Sequence, residues 1–157
     1  MPRGETLSRA FVRDPEPGEP LCPECRTPGE EVGVPTLEAQ LPAEIRSPLK
    51  GIAYYCVNPA CRTAYFTGWG AGVPASALAS PAYPKDGNAP ICPCFGLRAD
   101  EVVADAQNGR RERVRELVER SKGPDARCQT RCPDGRPCIP RVLRLFRERW
   151  EEGRPAP

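Results

Sequence analysis

Nine cysteines and no histidine occur in a chain of 157 residues. They are ordered as Cys22-x-x-Cys25, Cys56-x4-Cys61, Cys92-x-Cys94, then Cys128, Cys132 and Cys138. Without imidazole, any soft-metal site here is built almost entirely from thiolates, and four thiolates suit zinc or an iron–sulfur cluster far better than magnesium or calcium. The first four cysteines form two close pairs roughly thirty residues apart. That spacing closes a tetrahedral S4 site with no vacant position, which makes it structural and not catalytic. The remaining five are ambiguous on spacing alone. A Cys-x-Cys does not easily present both sulfurs to one zinc. It can sit at the edge of a cluster, both thiolates on one iron at the N-terminus of the next helix, whose N–H groups favour negative charge. An iron–sulfur centre and a second zinc both remain open at this point.

The elements that must position these thiols are short. Residues 1–20 are polar and proline-rich and read as a flexible lead-in. Residues 21–69 form a first unit. Leu21-Cys-Pro-Glu-Cys25 is a knuckle, and Thr36 to Leu41 fits one helical stretch with Thr36 as N-cap, stopped by Pro42. Ile52 to Cys56 and Thr63 to Thr67 are β-prone runs around the turn signal Asn58-Pro59-Ala60, so they predict a hairpin whose loop carries Cys56 and Cys61. Tyr54, Tyr55, Tyr65, Phe66 and Trp69 are expected to pack around that site; without a basic cluster beside them they do not make a nucleic-acid platform. Residues 70–90, rich in Ala, Pro, Gly and Ser, read as a linker. Residues 91–150 form a second, helical unit. Its first helix carries Asp100 and Glu101 in the opening turn and breaks at Gly109. The next shows Val114, Leu117 and Val118 at helical spacing, and a third follows Pro140 with Leu143, Phe146 and Trp150 on one side. Residues 151–157 read as a disordered tail.

Composition narrows the function classes. Hydrophobic residues make up 39%, and 21 prolines and 14 glycines imply much loop, so a chain of this size needs staples. A net charge of +2 is too small to imply nucleic acid or an anionic membrane. The first twenty residues show no apolar signal-peptide core, and no run approaches the roughly 18 apolar residues of a membrane span. A cytoplasmic location is therefore expected, where thiols stay reduced; with the odd cysteine count, this weighs against a disulfide framework. No general base, nucleophile or phosphate-cradling glycine loop is present, so electron transfer or metal binding is expected over enzymatic catalysis.

Leu21 to Cys25, Tyr54 to Phe66 and Pro90 to Phe95, together with Cys128-x9-Cys138 and its Pro133-Asp-Gly-Arg136 turn, resemble the N-terminal domain of CopZ-type copper chaperones. The second half is similar to bacterioferritin-associated ferredoxin. The resemblance covers about residues 20–145. It implies a small, metal-stabilised α+β fold in which a zinc-ribbon-like β-hairpin unit precedes a helical [2Fe-2S]-binding unit. It further implies that Cys22, Cys25, Cys56 and Cys61 hold Zn2+, and that Cys92, Cys94, Cys128 and Cys138 hold the [2Fe-2S] cluster. Cys132 is then a spare, displaced from the family's extra cysteine, where this chain has Pro137. The family's Met-x-Cys-x-x-Cys copper-transfer loop is absent from the sequence. The expected function is one-electron redox chemistry in metal handling, with reduction of Cu(II) to Cu(I) and a protein redox or metal-trafficking partner. Arg131 and Arg136 are expected to flank the cluster edge and favour an acidic partner. The alternatives are a ferredoxin-like carrier for iron mobilisation or cluster transfer, and a two-zinc structural or interaction module.

Overall fold

A computed structural model describes residues 18–154; the greater part of the expected N-terminal lead-in, and residues 155–157 of the expected tail, lie outside them. The first unit is built on a four-stranded antiparallel sheet in sequential order: β1 (Glu30–Val32), β2 (Ala53–Tyr55), β3 (Thr63–Thr67) and β4 (Gly72–Pro74). The predicted hairpin is present as β2 and β3, with Tyr54 opposite Phe66 and Tyr55 opposite Tyr65. These cross-strand aromatic pairs are the strongest local determinant of the sheet. Neither β1 nor β4 has a strand-like sequence; each is short and pairs with an aromatic strand already in place. Pro74 is tolerated because β4 is an edge strand.

Between β1 and β2 lies α1 (Val34–Gln40). It starts a turn earlier than expected, with Gly33 as its cap residue and Pro35 in its first turn, where a missing N–H costs nothing. Thr36 is therefore inside the helix and buried. Leu37 and Leu41 lay α1 against Val32, Tyr55, Tyr65 and Val73 to make the core of this unit. A single further turn, α2 (Ala43–Arg46), follows. Residues 70–90 are more than a linker: Val73 is in the core, and a 3-10 turn at Ala75–Ala77 packs against it. Trp69 is 63% exposed and takes no part in the aromatic core, because it lies in the turn beyond β3.

The second unit opens with a two-stranded ribbon, β5 (Pro90–Cys92) and β6 (Leu97–Arg98), whose turn carries Cys94. Helix α3 (Ala99–Gln107) is capped when the Glu101 carboxylate accepts the Arg98 N–H at 2.9 Å, and Gly109, with φ of 69°, ends it. Helix α4 (Glu112–Ser121) buries Val114 and Leu117 as its period predicts. A four-residue helix, α5 (Cys128–Arg131), precedes α6 (Ile139–Glu152), which has Pro140 in its first turn. The buried face of α6 departs from the expected one at Leu143, which is exposed, while Val142 is fully buried with Ile139 and Leu145 beside it; Phe146 packs on the core as expected and stacks with half-buried Trp150 at 5.5 Å. Helix α6 also continues through Glu152, into the stretch expected to be a disordered tail. The two units meet where α1 packs on α5. Among the described residues, no helix is long and apolar enough to cross a membrane.

Candidate metal centre

Cys22 and Cys25 sit on the knuckle after Pro20. There the Cys22 N–H donates to the Thr27 carbonyl and the Arg26 N–H to the Cys22 carbonyl, at 2.9 and 2.8 Å. Arg26 adopts φ of 64°, the left-handed conformation that folds the chain back at this point. Cys56 directly follows β2, and Cys61 lies two residues before β3. The sheet thus delivers its two thiols to the knuckle. All four Sγ atoms lie within 4.8 Å of one another, with Cys22 and Cys61 at 3.8 Å and Cys25 and Cys56 at 3.5 Å. With Zn–S bonds of about 2.3 Å, the edge of a regular tetrahedron is about 3.8 Å, so the donor set fits zinc in number, type and spacing. Phe66 and half-buried Tyr54 shield it, stacked with ring centroids 5.7 Å apart. Gly29 is required against them, since a Cβ there would meet the Phe66 ring at 2.4 Å.

The surroundings tune Cys25, Cys56 and Cys61 unequally. Burial pushes Cys25 up, but hydrogen bonds with the Thr27 side chain and backbone, Cys56 and Asn58 outweigh it and bring this thiol down to about 7. Burial dominates at the other two: Cys56 is held well above the ordinary thiol range and Cys61 is pushed up to about 11. Glu24 faces Cys61 at 3.4 Å. Its carboxylate accepts the Thr63 hydroxyl at 2.8 Å and the Arg62 guanidinium at 3.1 Å, which hold it below the usual carboxylate range. From residues 70–90, Lys85 donates to the carbonyls of Asn58 and Cys61 at 2.8 and 3.0 Å, pinning the loop between the second thiol pair. Neither Glu24 nor Lys85 stands out in the sequence as a site residue, because lone charges in loops carry no positional signal.

The other five cysteines also converge. Cys92, Cys132 and Cys138 are buried and Cys94 and Cys128 half-buried, all in one apolar cluster with Ile91, Val102 and Val142. Their thiols couple across segments. Cys92 is raised first by its contact with Cys138, then by burial, while the N–H groups of Phe95 and Cys94 work the other way. Cys128 is raised by burial and then by the neighbouring Cys94. Cys138 is pushed up to about 12, first by Cys132. The Arg127 N–H donates to the Cys94 sulfur at 3.3 Å. One expectation changes: the N–H groups aimed at Cys92 come from the β5–β6 turn and not from a helix N-terminus. Arg136 is exposed and its guanidinium reaches Glu30 of β1 at 3.4 Å.

Residues 19–73 match the family of CopZ zinc-binding domains. No curated protein matches the sequence. Among solved structures, the N-terminal domain of CopZ from Archaeoglobus fulgidus is similar at 26% identity with a TM-score of 0.65. That likeness covers 80% of this chain and 96% of the other. The described fold and the four-thiol site around Cys22, Cys25, Cys56 and Cys61 are therefore those of a metal-binding protein whose zinc-binding region is similar to that of CopZ.

Proposed function

We propose that this chain is a zinc-stabilised [2Fe-2S] one-electron protein of cytosolic metal handling, with Cu(II) as a substrate that it reduces to Cu(I). The observation that carries the reading is the gathering of five thiols, from the β5–β6 ribbon and the loop from Cys128 to Cys138, in one apolar cluster with Ile91, Val102 and Val142. Four thiolates from two segments suit the two irons of a cluster. Among the described residues, the compact grouping within 4.8 Å that one metal ion needs is found for the first four cysteines and not for these five. The similarity to the CopZ N-terminal domain, which extends well past the zinc-binding region, supports the same reading.

In this assignment Cys92, Cys94, Cys128 and Cys138 hold the cluster and Cys132 backs Cys138 from inside the core. When bound, a [2Fe-2S] cluster supplies a one-electron couple whose potential depends on charge, hydrogen bonds and exposure. The chain sets those terms through the N–H groups of Cys94, Phe95 and Arg127 directed at sulfur. It also buries one side of the group behind Val102 and Val142 and leaves Cys94 and Cys128 toward solvent. Exposed Arg127 and Arg131 flank this open side, which favours an acidic partner face and transfer that slows with salt.

The test begins with anaerobic reconstitution of the full chain with iron and sulfide. A visible spectrum that survives Cys132→Ala and is lost in Cys92→Ala, Cys94→Ala, Cys128→Ala and Cys138→Ala is the expected outcome. Stopped-flow mixing of the reduced protein with Cu(II) should then return one Cu(I), trapped by a chelator, for each cluster reoxidised. A colourless protein carrying two zincs would overturn the cluster. An intact cluster that stays reduced in excess Cu(II) would remove copper and leave the iron-mobilisation role.

A further inference from the structure

The loop from Cys128 to Cys138 carries three of the five second-group thiols, yet it has little regular structure of its own. Helix α5 spans four residues, too few to satisfy its own terminal carbonyls, and helix ends leave such groups in need of partners. Within the loop itself, the Cys132 N–H donates to the Cys128 carbonyl and the Gly135 N–H to the Cys132 carbonyl, both at 2.9 Å. The remaining carbonyls up to Pro133 are met from the zinc-bearing unit. The Thr36 hydroxyl donates to Gln129. The Gln40 amide donates to Thr130 and Arg131 at 2.9 and 3.2 Å. The Tyr65 hydroxyl donates to Pro133. The donors are themselves buried: Thr36 and Gln40 are 1% and 5% exposed and Tyr65 is fully enclosed. Shape adds to this, because Gly135 at φ of 71° lies so close to Thr36 that a Cβ would meet its hydroxyl at 2.5 Å.

The geometry points to Thr36, Gln40 and Tyr65 as positioning residues for the second thiol group, so that the zinc-bearing unit clamps the loop that presents Cys128, Cys132 and Cys138. That these thiols take a cluster rests on the function proposed above; the clamp does not. The route back to the first centre is short. Tyr65 stands on β3, four residues beyond Cys61, and α1 is held by Leu37 and Leu41 in the same core as Tyr55 and Tyr65. Whatever orders the hairpin therefore orders the donors. Coupling of this kind is reciprocal: filling either centre favours filling the other.

The experiment uses the full chain loaded with zinc, iron withheld, and maps iodoacetamide labelling of each cysteine by mass spectrometry in wild type, Gln40→Met, Tyr65→Phe and the double variant. Buried Cys132 and Cys138 label only when the loop opens. Losing the clamp donors should speed both by about tenfold or more, with zinc content unchanged and Cys92 and Cys94 little affected. Reconstituted variants should also show shifted visible circular dichroism bands. Wild-type labelling rates in a zinc-loaded double variant would overturn the clamp, as would equal acceleration at all five thiols. If the double variant loses zinc, the single variants and Thr36→Val, each lacking only its own donor, decide by the same contrast. A wild type that never takes a cluster, with the labelling contrast intact, would sink the proposed function and leave the clamp.

Discussion

The two cysteine groups reach order by opposite routes. The first draws its thiols from a knuckle and a hairpin, each shaped by its own residues, and the four sulfurs gather within a few residues of regular structure. The second takes thiols from a ribbon and from a loop whose carbonyls are satisfied by side chains of the other unit. A metal site made of local turns gathers its ligands within its own unit. A site made of a borrowed loop inherits the stability of its lender.

The most severe way to break this contrast is to remove a first-group ligand. Binding of zinc by four thiolates supplies on the order of 10 kcal/mol in small peptides, and the core of the first unit is too small to replace it. Cys56→Ser should abolish cooperative melting of the first unit and, through the lost donors, expose Cys132 and Cys138 to alkylation. Cys138→Ala should leave zinc binding and that melting transition in place. Retention of buried Cys132 and Cys138 in the zinc-free Cys56→Ser chain would show that the second centre stands alone.

Acidification tests the first centre more finely. Zinc must displace protons from Cys56 and Cys61, whose metal-free thiols lie above neutrality, at every pH near 7. From Cys25, brought down to about 7, it displaces a proton only below that value. Apparent zinc affinity should therefore fall as pH falls, and by about a further tenfold per pH unit once Cys25 is protonated. Competition with a chromophoric chelator on both sides of neutrality reads the slope; a constant slope through pH 7 would remove the special role of Cys25.

A smaller effect is expected at the turn between the last two thiols. Asp134 is 6% exposed, accepts the Arg141 guanidinium at 2.6 Å, and takes the Arg136 N–H at 3.1 Å. Asp134→Ala strands a half-buried arginine, and should cost about 2–3 kcal/mol, discounted for Arg141's partial exposure. Thermal melting with zinc content monitored would read the loss as a lower midpoint with zinc retained. Gly29→Ala probes the other region: the added methyl must displace the Phe66 ring, at about 1–3 kcal/mol. Its expected signature is a lower melting temperature together with faster zinc release. Slower release would mean that the ring does not shield the site.

Much of the first centre was legible in the sequence because its signals are local. Cysteine spacing, the Asn58-Pro59 turn and alternating aromatics each report on residues within a few positions of themselves. Strands β1 and β4 were not legible, since Glu30-Glu31-Val32 and Gly72-Val73-Pro74 become strands only by pairing with neighbours. Helix α5 was missed for the same reason: its carbonyls are satisfied by Thr36 and Gln40, about ninety residues away. On α6, Leu143 and Val142 differ by one position, and apolar spacing alone did not decide which of the two faces inward. The second thiol group was legible as a set, but not the side-chain donors from the first unit that hold its loop.

Lys85 gives residues 70–90 a further consequence. Its ammonium is held by two carbonyls of the zinc loop and lies 5.6 Å from the centre of the Tyr55 ring. A protease that reads lysine must first extract this side chain, so trypsin should cut after exposed Lys50 well before Lys85. Withdrawal of zinc would slacken the loop, free the ammonium and turn residue 85 into a cleavage point. Limited tryptic digestion should therefore cut after Lys85 in zinc-free protein and spare it in zinc-loaded protein.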